Sequence, residues 1–307
     1  MGHGMTALPA PIDRKGILFA IGAYGSWGIL PLYIHLLHGV PAFQVLAHRV
    51  LWSLLFLAGI ILVLRRVKSI ARAIRGRTIL LLLASAALIA INWIVYIWAV
   101  LNNHLLEASL GYFMNPLVNV ALGVIVLGER LRRWQGIAIG VAAAGVLVLA
   151  VSGGGALWIS LTLAASFGAY GLVRKVAAID ALGGLTFETL LLAPFCLGWL
   201  IHADGLGEGA FGTSTSITTL LIVAGPITAI PLLWFSAAAR RLPLSTMGLL
   251  QFMAPTIQFG LALLFGEPLR TVHFVTFPLI WAGCALFAWD SIRASRVTPI
   301  GSSAVRA

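Results

Sequence analysis

The sequence alternates long apolar segments with short polar breaks. Ten segments contain about 20 mostly apolar residues each, the length that a helix needs to cross the hydrocarbon core of a bilayer. They cover 15–35, 41–64, 78–101, 106–127, 134–151, 155–173, 183–202, 217–239, 245–265 and 272–291. A membrane β-barrel would alternate apolar and polar residues in segments of about ten, and runs such as 80–83 and 141–151 do not alternate. The pattern predicts an all-α integral membrane protein with ten transmembrane helices.

The composition excludes other classes of protein. Hydrophobic residues make up 60% of the 307 positions and charged residues 9%, whereas a soluble domain carries about 25% charged residues. Disorder is excluded as well, because it requires low hydrophobicity and high charge. The two cysteines, Cys196 and Cys284, both lie inside apolar segments. We therefore predict no disulfide framework, no metal site and no cofactor.

The basic residues predict the orientation of the chain. With the N-terminus placed in the cytoplasm, eighteen of the twenty Lys and Arg residues fall in cytoplasmic segments. The exceptions are Arg270, in an outer loop, and Arg49, inside a span. Because Lys and Arg accumulate on the cytoplasmic side, both termini are predicted to be cytoplasmic. The net charge of +11 then reflects contact with the lipid bilayer, and we expect no nucleic-acid partner.

The two halves of the sequence match at a spacing of 138–140 residues. The matches are Ser26-Trp27-Gly28 with Ser166-Phe167-Gly168, Met114-Asn115-Pro116 with Met253-Ala254-Pro255, Gly128-Glu129 with Gly266-Glu267, and Gly145 with Gly283. Each half contains five spans, an odd number, so the second half must enter the membrane from the opposite side. This predicts two inverted-topology five-helix repeats, 15–151 and 155–291, between tails 1–14 and 292–307. Such repeats are a common plan of secondary transporters, and a duplication that merely stabilises a bundle is the alternative.

Five stretches of the sequence resemble one family. They are NWIVYIWAVLNNHLLEASLGYFMNPLVNVALGVIVLGERL (92–131), GPITAIPLLWFSAAARRLPLSTMGLLQFMAPTIQF (225–259), WGILPLY (27–33), AHRVLWS (47–53) and TFETLLLAPF (186–195). Together they resemble the RarD group of the EamA-type transporters, in the drug/metabolite transporter superfamily, over about 15–291. The resemblance implies a multi-pass protein of the bacterial cytoplasmic (inner) membrane with ten helices. It also implies movement of small organic molecules, commonly outward, without identifying the substrate.

Polar and aromatic residues inside the spans predict the lining of a solute pathway. Tyr112, Asn115 and Asn119 follow i, i+3, i+7 spacing and so share one helical face, and Gln251 and Gln258 are their matches in the ninth span. Paired proline-interrupted helices point to a transporter site, and the hinge candidates are Pro31, Pro116, Pro231 and Pro255. The predicted substrate-binding residues are Tyr24, Trp27, Arg49, Asn92, Tyr96, Tyr112, Asn115, Asn119, Tyr170, Trp234, Gln251 and Gln258. The alternative for each is interhelical hydrogen bonding or packing.

Two ionisable residues lie side by side in the second span. An ionisable group at the centre of a membrane helix costs about 2.5–3.5 kcal/mol on insertion scales, so the few present mark cavities or partners. Arg49 could hold an anionic group of the substrate, or it could form a structural ion pair with Glu107 at the outer end of the fourth span. His48 is a coupling candidate that could relay protons, or it could be a hydrogen-bonded packing residue.

Glu188 lies in the seventh span, at the position that repeats Arg49. It could couple transport to protons, bind a substrate amine, or pair with Arg174 or Lys175. The carboxylates of Glu129 and Glu267 follow the fourth and ninth spans. Because charges at a membrane edge cost little, we expect these two carboxylates to anchor or cap loops.

The leading hypothesis is a secondary transporter that exports a small organic metabolite or drug by alternating access, with proton coupling left open. The sequence contains no Walker-type phosphate loop, no H-E-x-x-H and no G-x-S-x-G, so an intramembrane enzyme is the least favoured class. A channel or a non-transporting membrane sensor is the alternative, although no ring of like charges favours a channel. The oligomeric state does not follow from the sequence.

Overall fold

The computed structural model describes residues 13–127, 132–152, 156–177, 179–242, 246–247 and 250–297. Within these ranges the chain is α-helical and contains no strand. The helices are α1 (Arg14–His35), α2 (Ala42–Val63), α3 (Val67–Ala73), α4 (Arg77–Leu101), α5 (Leu105–Leu127), α6 (Arg133–Val151), α7 (Leu157–Val176), α8 (Ala181–Gly205), α9 (Thr215–Ala239), α10 (Met253–Leu264) and α11 (His273–Val297).

The helices follow the apolar pattern of the sequence. Every predicted apolar segment contains a helix, while the polar stretch after α2, which we predicted to be a break, contains the additional short helix α3. Among the described residues, seven helices are long and apolar enough to cross a membrane, namely α1, α2, α4, α6, α7, α8 and α9. The chain is therefore an all-helical, multi-pass membrane protein.

The predicted ninth span, 245–265, is not one continuous helix. Helix α10 begins at Met253, and Gln251 and Phe252 form a turn before it. Pro255 has no N–H to donate to the carbonyl of Gln251, which explains the interruption at this point. Gln251 therefore lies in the turn before α10 and Gln258 lies within α10, whereas the sequence pattern placed both in one unbroken span. Helix α5, in contrast, continues through Pro116.

Side-chain caps determine where several helices begin. The Asp13 carboxylate accepts hydrogen bonds from the backbone N–H groups of Lys15 and Gly16, at 2.9 and 3.2 Å. Asp180 accepts from the N–H of Gly183 at the start of α8, at 2.9 Å. Ser214 does the same for α9. These contacts satisfy donors that the first turn of a helix leaves without an intrahelical partner, so each helix begins at the edge of its apolar segment.

The helices pack in pairs through close backbone approaches. Helix α6 packs against α11, α5 against α7 and α10, α1 against α9 and α10, α2 against α8 and α9, and α4 against α7 and α8. Glycines allow the closest contacts: a Cβ at Gly225 would lie 2.5 Å from the backbone of Trp52, and a Cβ at Gly111 would lie 2.8 Å from the carbonyl oxygen of Ser160. Such small-residue contacts are typical of membrane helix bundles.

Polar contacts tie the loops together at both ends of the bundle. At the end where α1 begins, the ion pairs are Arg66–Asp180 and Arg132–Asp290, both at 2.7 Å, and Arg241–Asp13 at 3.7 Å. At the opposite end, the Gln44 side chain donates to the carbonyl of Glu208 (2.7 Å) and accepts from the N–H of Ala210 (2.8 Å). These contacts link α2 to both loops that flank α8.

A carboxylate holds the start of α5 at that opposite end. Glu267 accepts hydrogen bonds from the backbone N–H groups of Leu105 and Leu106, at 2.6 and 2.8 Å. Gly266 precedes it with a φ of +80°, a conformation that glycine adopts without strain. The prediction that Glu267 caps a loop is confirmed, whereas Glu129 lies outside the described residues.

Candidate functional site

A buried guanidinium lies where α2, α4 and α9 meet. Arg49 on α2 donates a hydrogen bond from Nε to Oγ1 of Thr228 on α9, at 2.7 Å. Its guanidinium carbon lies 4.6 Å from the centre of the Trp93 ring on α4. The hydroxyl of Thr228 donates in turn to the carbonyl of Ala224 at 2.8 Å. A cation over an indole face is stabilised by the ring quadrupole, so two contacts orient this charge.

Arg49 does not form the ion pair that we considered from the sequence. Glu107 lies 3.6 Å from Nδ1 of His104 instead, and no carboxylate of the described residues lies within 4.0 Å of Arg49. The side chain is only 7% exposed. A buried charge requires a counter-charge or hydrogen bonds to offset its lost hydration, and one hydroxyl with one indole ring is a small set of partners.

Amide and phenol groups continue this polar region along α4. Asn92 donates to the carbonyl of Leu163 at 3.2 Å and to the hydroxyl of Ser166 at 3.1 Å. Its Oδ1 accepts from the hydroxyl of Tyr112 on α5, at 3.1 Å. The Tyr96 ring lies edge-on to Tyr112, with centroids 5.5 Å apart, and its buried hydroxyl has no hydrogen-bond partner in the described part of the chain. The structure thus groups three predicted lining residues.

The second charged centre is built from α4, α7 and α8. Glu188 on α8 is fully buried and accepts hydrogen bonds from Ser85 at 2.6 Å and from Tyr170 at 3.3 Å. Nη1 of Arg174 lies 3.7 Å from its Oε1, so the pairing with Arg174, one of the alternatives considered for Glu188, is present in the structure. Gly184, one turn before Glu188, leaves the space that the Arg174 guanidinium occupies. The side chain of Lys175 lies outside the described residues.

A row of aromatic rings connects the two centres. Tyr112 hydrogen-bonds to Asn92, and the next residue, Trp93, carries the Arg49 guanidinium over its ring. The Tyr112 ring meets Phe167 edge-on at 6.0 Å, and Phe167 lies 6.1 Å from Tyr170, which hydrogen-bonds to Glu188. The row places tilted and edge-on aromatic rings between a cationic and an anionic side chain, and an aromatic solute can pack against such rings.

Some predicted lining residues lie apart from this region. Tyr24 and Trp27 pack edge-on at 5.6 Å beside Phe235, in an apolar cluster of α1, α9 and the start of α10. Trp234 is 37% exposed and packs on Gly22 of α1, so its assignment to the pathway stays a prediction.

The amide side chains that we predicted to line the pathway, on α5 and in the ninth span, differ in their surroundings. Gln258 donates to the carbonyl of Trp27 at 3.0 Å, while its Oε1 and the Oδ1 of Asn115 are buried without a partner among the described residues. These oxygens are polar groups that a solute or water could satisfy. Gln251 is half-buried in the turn before α10, and the side chain of Asn119 lies outside the described residues.

The remaining residues predicted from the sequence are His48 and the hinge prolines. His48 follows Gln44 by one turn of α2 and stacks on Phe211 at 5.1 Å, away from the Thr228 contact of Arg49. Pro31 and Pro231 are buried inside α1 and α9. Pro116 is buried inside α5.

Several residues of this region were missed by sequence reasoning. Thr228, Ser85 and Ser166 supply the hydroxyls that contact Arg49, Glu188 and Asn92. Single Ser and Thr residues are frequent in membrane helices, so no sequence signal distinguishes Thr228 and Ser85, whereas Ser166 belongs to the repeat match with Ser26. Tyr33, whose hydroxyl donates to the Leu220 carbonyl at 2.7 Å, belongs to the quoted 27–33 block but was not selected.

Comparisons with known proteins place these features in context. The model of the EamA-like transporter family matches residues 14–151. The chain is 46% identical to the protein RarD of Streptomyces exfoliatus, covering 92% of this chain and 91% of that one. It is 45% identical to the protein RarD of Escherichia coli strain K12, covering 95% and 99%. A crystal structure with 18% identity shares the fold, with a TM-score of 0.60 over 91% of this chain and 99% of its own.

Proposed function

The chain belongs to the RarD group of the EamA-like transporter family, in the drug/metabolite transporter superfamily, and on this premise we propose that it carries a small organic solute with an anionic group. The solute crosses the bacterial inner membrane by alternating access between two halves of the bundle. Export is the proposed direction, and a proton is the proposed coupling ion. The observation that carries the proposal is Arg49, a buried cation with no carboxylate partner in the described residues.

The charge balance around Arg49 favours an anionic solute. Glu188 already has Arg174 beside it, so those two charges offset each other, and Arg49 remains. A carboxylate or phosphate group entering the bundle would supply the missing counter-charge through the guanidinium, whose planar donors suit such groups. The tyrosines and Asn92 supply hydrogen-bonding walls, and the aromatic row from Tyr112 to Tyr170 accommodates the rest of the solute.

Alternating access requires two halves that can exchange roles, and we propose ten spans in two inverted repeats with both termini in the cytoplasm. The helix packing supports this arrangement. The proposed symmetry exchanges α1 with α7, α2 with α8, α4 with α9, α5 with α10, and α6 with α11. Under this exchange the α5–α7 contact becomes α10–α1, the α4–α7 contact becomes α9–α1, and the α2–α9 contact becomes α8–α4. All six of these contacts are observed. The α6–α11, α2–α8 and α5–α10 pairs are converted into themselves.

Two repeat-related glycines support the same symmetry at residue level. A Cβ at Gly145 on α6 would approach Thr276 and Ile280 of α11, at 3.1 and 3.2 Å. A Cβ at Gly283 on α11 would approach Ala138 of α6, at 2.8 Å. Positions 276 and 138 are themselves 138 residues apart, like the two glycines, so each repeat presents the same surface to the other. Reciprocal contacts of this kind are expected around a two-fold axis.

The loop contacts suggest where the two gates lie. The Arg66–Asp180 ion pair joins the loop after α2 to the start of α8, and the Gln44 contact joins the loop after α8 to the start of α2. These two contacts are repeat-related and lie at opposite ends of the bundle. The ion pair is about 40% exposed, and exposed pairs contribute only about 0–1 kcal/mol. Such weak contacts can break and reform in each transport cycle.

Binding of matched aromatic probes tests the charge preference directly. Purified protein is titrated with phenyl phosphate, benzoate, benzyl alcohol and benzylamine while thermal unfolding is followed, since binding to the folded state raises apparent stability. We expect stabilisation by the two anions and none by the alcohol or the amine. Arg49→Gln should abolish the anion effect, whereas Arg240→Gln, which removes an exposed arginine at the end of α9, should preserve it. Stabilisation by benzylamine alone would reject the proposal.

Counterflow in proteoliposomes then separates a carrier from a channel or sensor. A carrier loaded with the stabilising probe accumulates labelled probe against its gradient, because the alternating site exchanges one molecule for another, and a channel does not. If Glu188 couples transport to protons, collapse of the pH gradient should stop net transport, and Glu188→Gln should make transport insensitive to the gradient. Transport that is unchanged by an uncoupler in the wild-type protein would reject proton coupling.

A further inference from the structure

Two adjoining cavities form a crevice between α2, α8 and the loop that follows α8. Their volumes are about 250 and 370 Å³, and both are lined by His48, Leu200 and Phe211. The first cavity lies toward the end of the bundle that holds the Gln44 contact, and the second continues along α2 toward the middle. We call the two together the α2–α8 crevice. Its lining includes neither Arg49 nor Thr228.

The chemistry of the crevice changes along its length. Gln44 and Asp204 line the first cavity, and Leu54, Leu55 and Leu197 line the second. Leu55 and Leu197 are 60% and 49% exposed, so the second cavity opens on the surface that faces lipid. The stretch of α2 from Gln44 to Leu55 is about 16 Å long at 1.5 Å per residue, close to the thickness of one hydrocarbon leaflet, about 15 Å.

His48 is the polar group at the boundary between the two parts. His48 is only 7% exposed, and its ring stacks on that of Phe211 with the ring centroids 5.1 Å apart. It makes no hydrogen bond to any of the residues that the structure describes, although its neighbours Gln44 and Arg49 do. Its ring nitrogens are not among the fully enclosed side-chain atoms that lack a partner, so they are open to the cavity. A polar side chain of this burial that opens on a cavity points to a ligand with a hydrogen-bonding group at this level.

We propose that the α2–α8 crevice binds a phospholipid with an amine headgroup. The ammonium group pairs with the carboxylate of Asp204 at the mouth, a phosphate oxygen accepts a hydrogen bond from His48, and one acyl chain lies along Leu54, Leu55 and Leu197. An ammonium head is favoured because the Asp204 carboxylate lines the mouth of the crevice and no Lys or Arg lines either cavity. In the proposed orientation the lipid belongs to the outer leaflet.

This lipid site is independent of the proposed transport function. Its lining includes neither Arg49 nor Glu188, and its occupant is a membrane component rather than the transported solute. Failure of lipid binding would leave the anion-binding experiments intact, and failure of those experiments would leave the lipid site intact.

Native mass spectrometry of the full chain tests the headgroup. The protein is exchanged into detergent with equal amounts of phosphatidylethanolamine, phosphatidylcholine and phosphatidylglycerol carrying the same acyl chains. We expect preferential retention of phosphatidylethanolamine, because its ammonium group has N–H donors for Asp204, whereas the choline nitrogen is fully methylated and has none. Asp204→Asn should lower the ratio of ethanolamine to choline lipid about fivefold, the upper range for a partly exposed pair. The matched control is Glu208→Gln, whose side chain does not line the crevice, and it should leave the ratio unchanged.

A second pair of variants tests the acyl-chain part without changing charge. Leu197→Trp fills the lipid-facing cavity and should reduce retention of all three lipids. Leu62→Trp places the same ring on an exposed part of α2 outside the crevice and should have no effect. Equal retention of the three headgroups by the wild-type protein would overturn the proposal. So would full lipid retention by Leu197→Trp, with far-UV circular dichroism confirming that each variant is folded.

Discussion

The hydrogen bond between Thr228 and Arg49 gives the most direct test of how the central cation is held. Thr228→Val keeps the shape of the side chain and removes the oxygen that accepts from Nε at 2.7 Å. A hydrogen bond to a charged group contributes about 1.5–3 kcal/mol, and loss of the acceptor leaves a buried N–H unsatisfied. We therefore expect the free energy of unfolding to fall by about this amount.

A matched substitution isolates the contribution of Arg49. The hydroxyl of Thr256 on α10 also donates to the carbonyl four residues earlier, at 2.7 Å, but it is exposed and accepts nothing from Arg49. Thr228 makes the same backbone contact at 2.8 Å. Thr256→Val thus removes the shared contact alone, and the difference between the two variants reports the bond to the guanidinium.

The assay is unfolding of purified protein in mixed micelles with an increasing fraction of dodecyl sulfate, followed by circular dichroism. Phenyl phosphate binding is measured on the same samples. If Thr228 orients the guanidinium for an anion, the dissociation constant should rise about tenfold in Thr228→Val, which corresponds to about 1.4 kcal/mol. The reasoning is refuted if Thr228→Val destabilises the protein no more than Thr256→Val does.

Three further predictions concern the second charged centre, the helix packing and a loop carboxylate. Ser85→Ala removes the 2.6 Å hydrogen bond to Glu188 and should destabilise the protein by about 1.5–3 kcal/mol in the same unfolding assay; an unchanged midpoint would contradict the contact. Gly283→Ala places a Cβ 2.8 Å from a backbone oxygen of α6 and should cost about 1–3 kcal/mol, whereas Gly260→Ala, which meets nothing within 4 Å, should cost nothing; equal effects would refute the close approach. Burial alone would raise the pKa of Asp180, but the Gly183 N–H and the neighbouring guanidinium outweigh it, so the pKa is lowered. The stabilisation by the Asp180 carboxylate is therefore present at neutral pH. It is lost as the pH falls below the pKa of an aspartate in the unfolded chain, about 3.9, and through the pKa of Asp180 in the folded protein. The unfolding midpoints of the wild-type protein and Asp180→Asn, measured over a series of acidic pH values, should converge at low pH, and midpoints that keep a constant difference would reject this prediction.

The limits of sequence reasoning show most clearly at Arg49. The position of Arg49 among apolar residues predicted that it lies inside a span and that it is a candidate functional residue. The sequence did not predict its partners. Glu107 was the candidate carboxylate in the predicted topology, whereas the structure provides Thr228 and Trp93. The partner depends on how α2, α4 and α9 are rotated about their axes. A helix that is apolar on all sides carries no stripe that indicates its inward face.

The break before α10 shows the opposite case. Pro255 signals an interruption from the sequence alone, since proline removes a backbone donor wherever it lies. Pro116 carries the same signal, yet α5 continues through it. Whether a proline breaks a membrane helix depends on the neighbours that satisfy the freed carbonyl, and these neighbours are a property of the packed bundle.

The sequence by itself determined that this chain is a multi-pass helical membrane protein, because segment length and apolarity are sufficient for a helix to enter a bilayer. It also identified Arg49 and Glu188, because a charge among apolar residues is visible without any structure. The tertiary structure alone decided that Thr228 and Ser85 hold these charges. It also decided that His48 lines a crevice and that this side chain has no hydrogen-bond partner in the described residues. Those outcomes depend on the rotation and close approach of helices, which packing between neighbours sets and hydrophobicity does not encode.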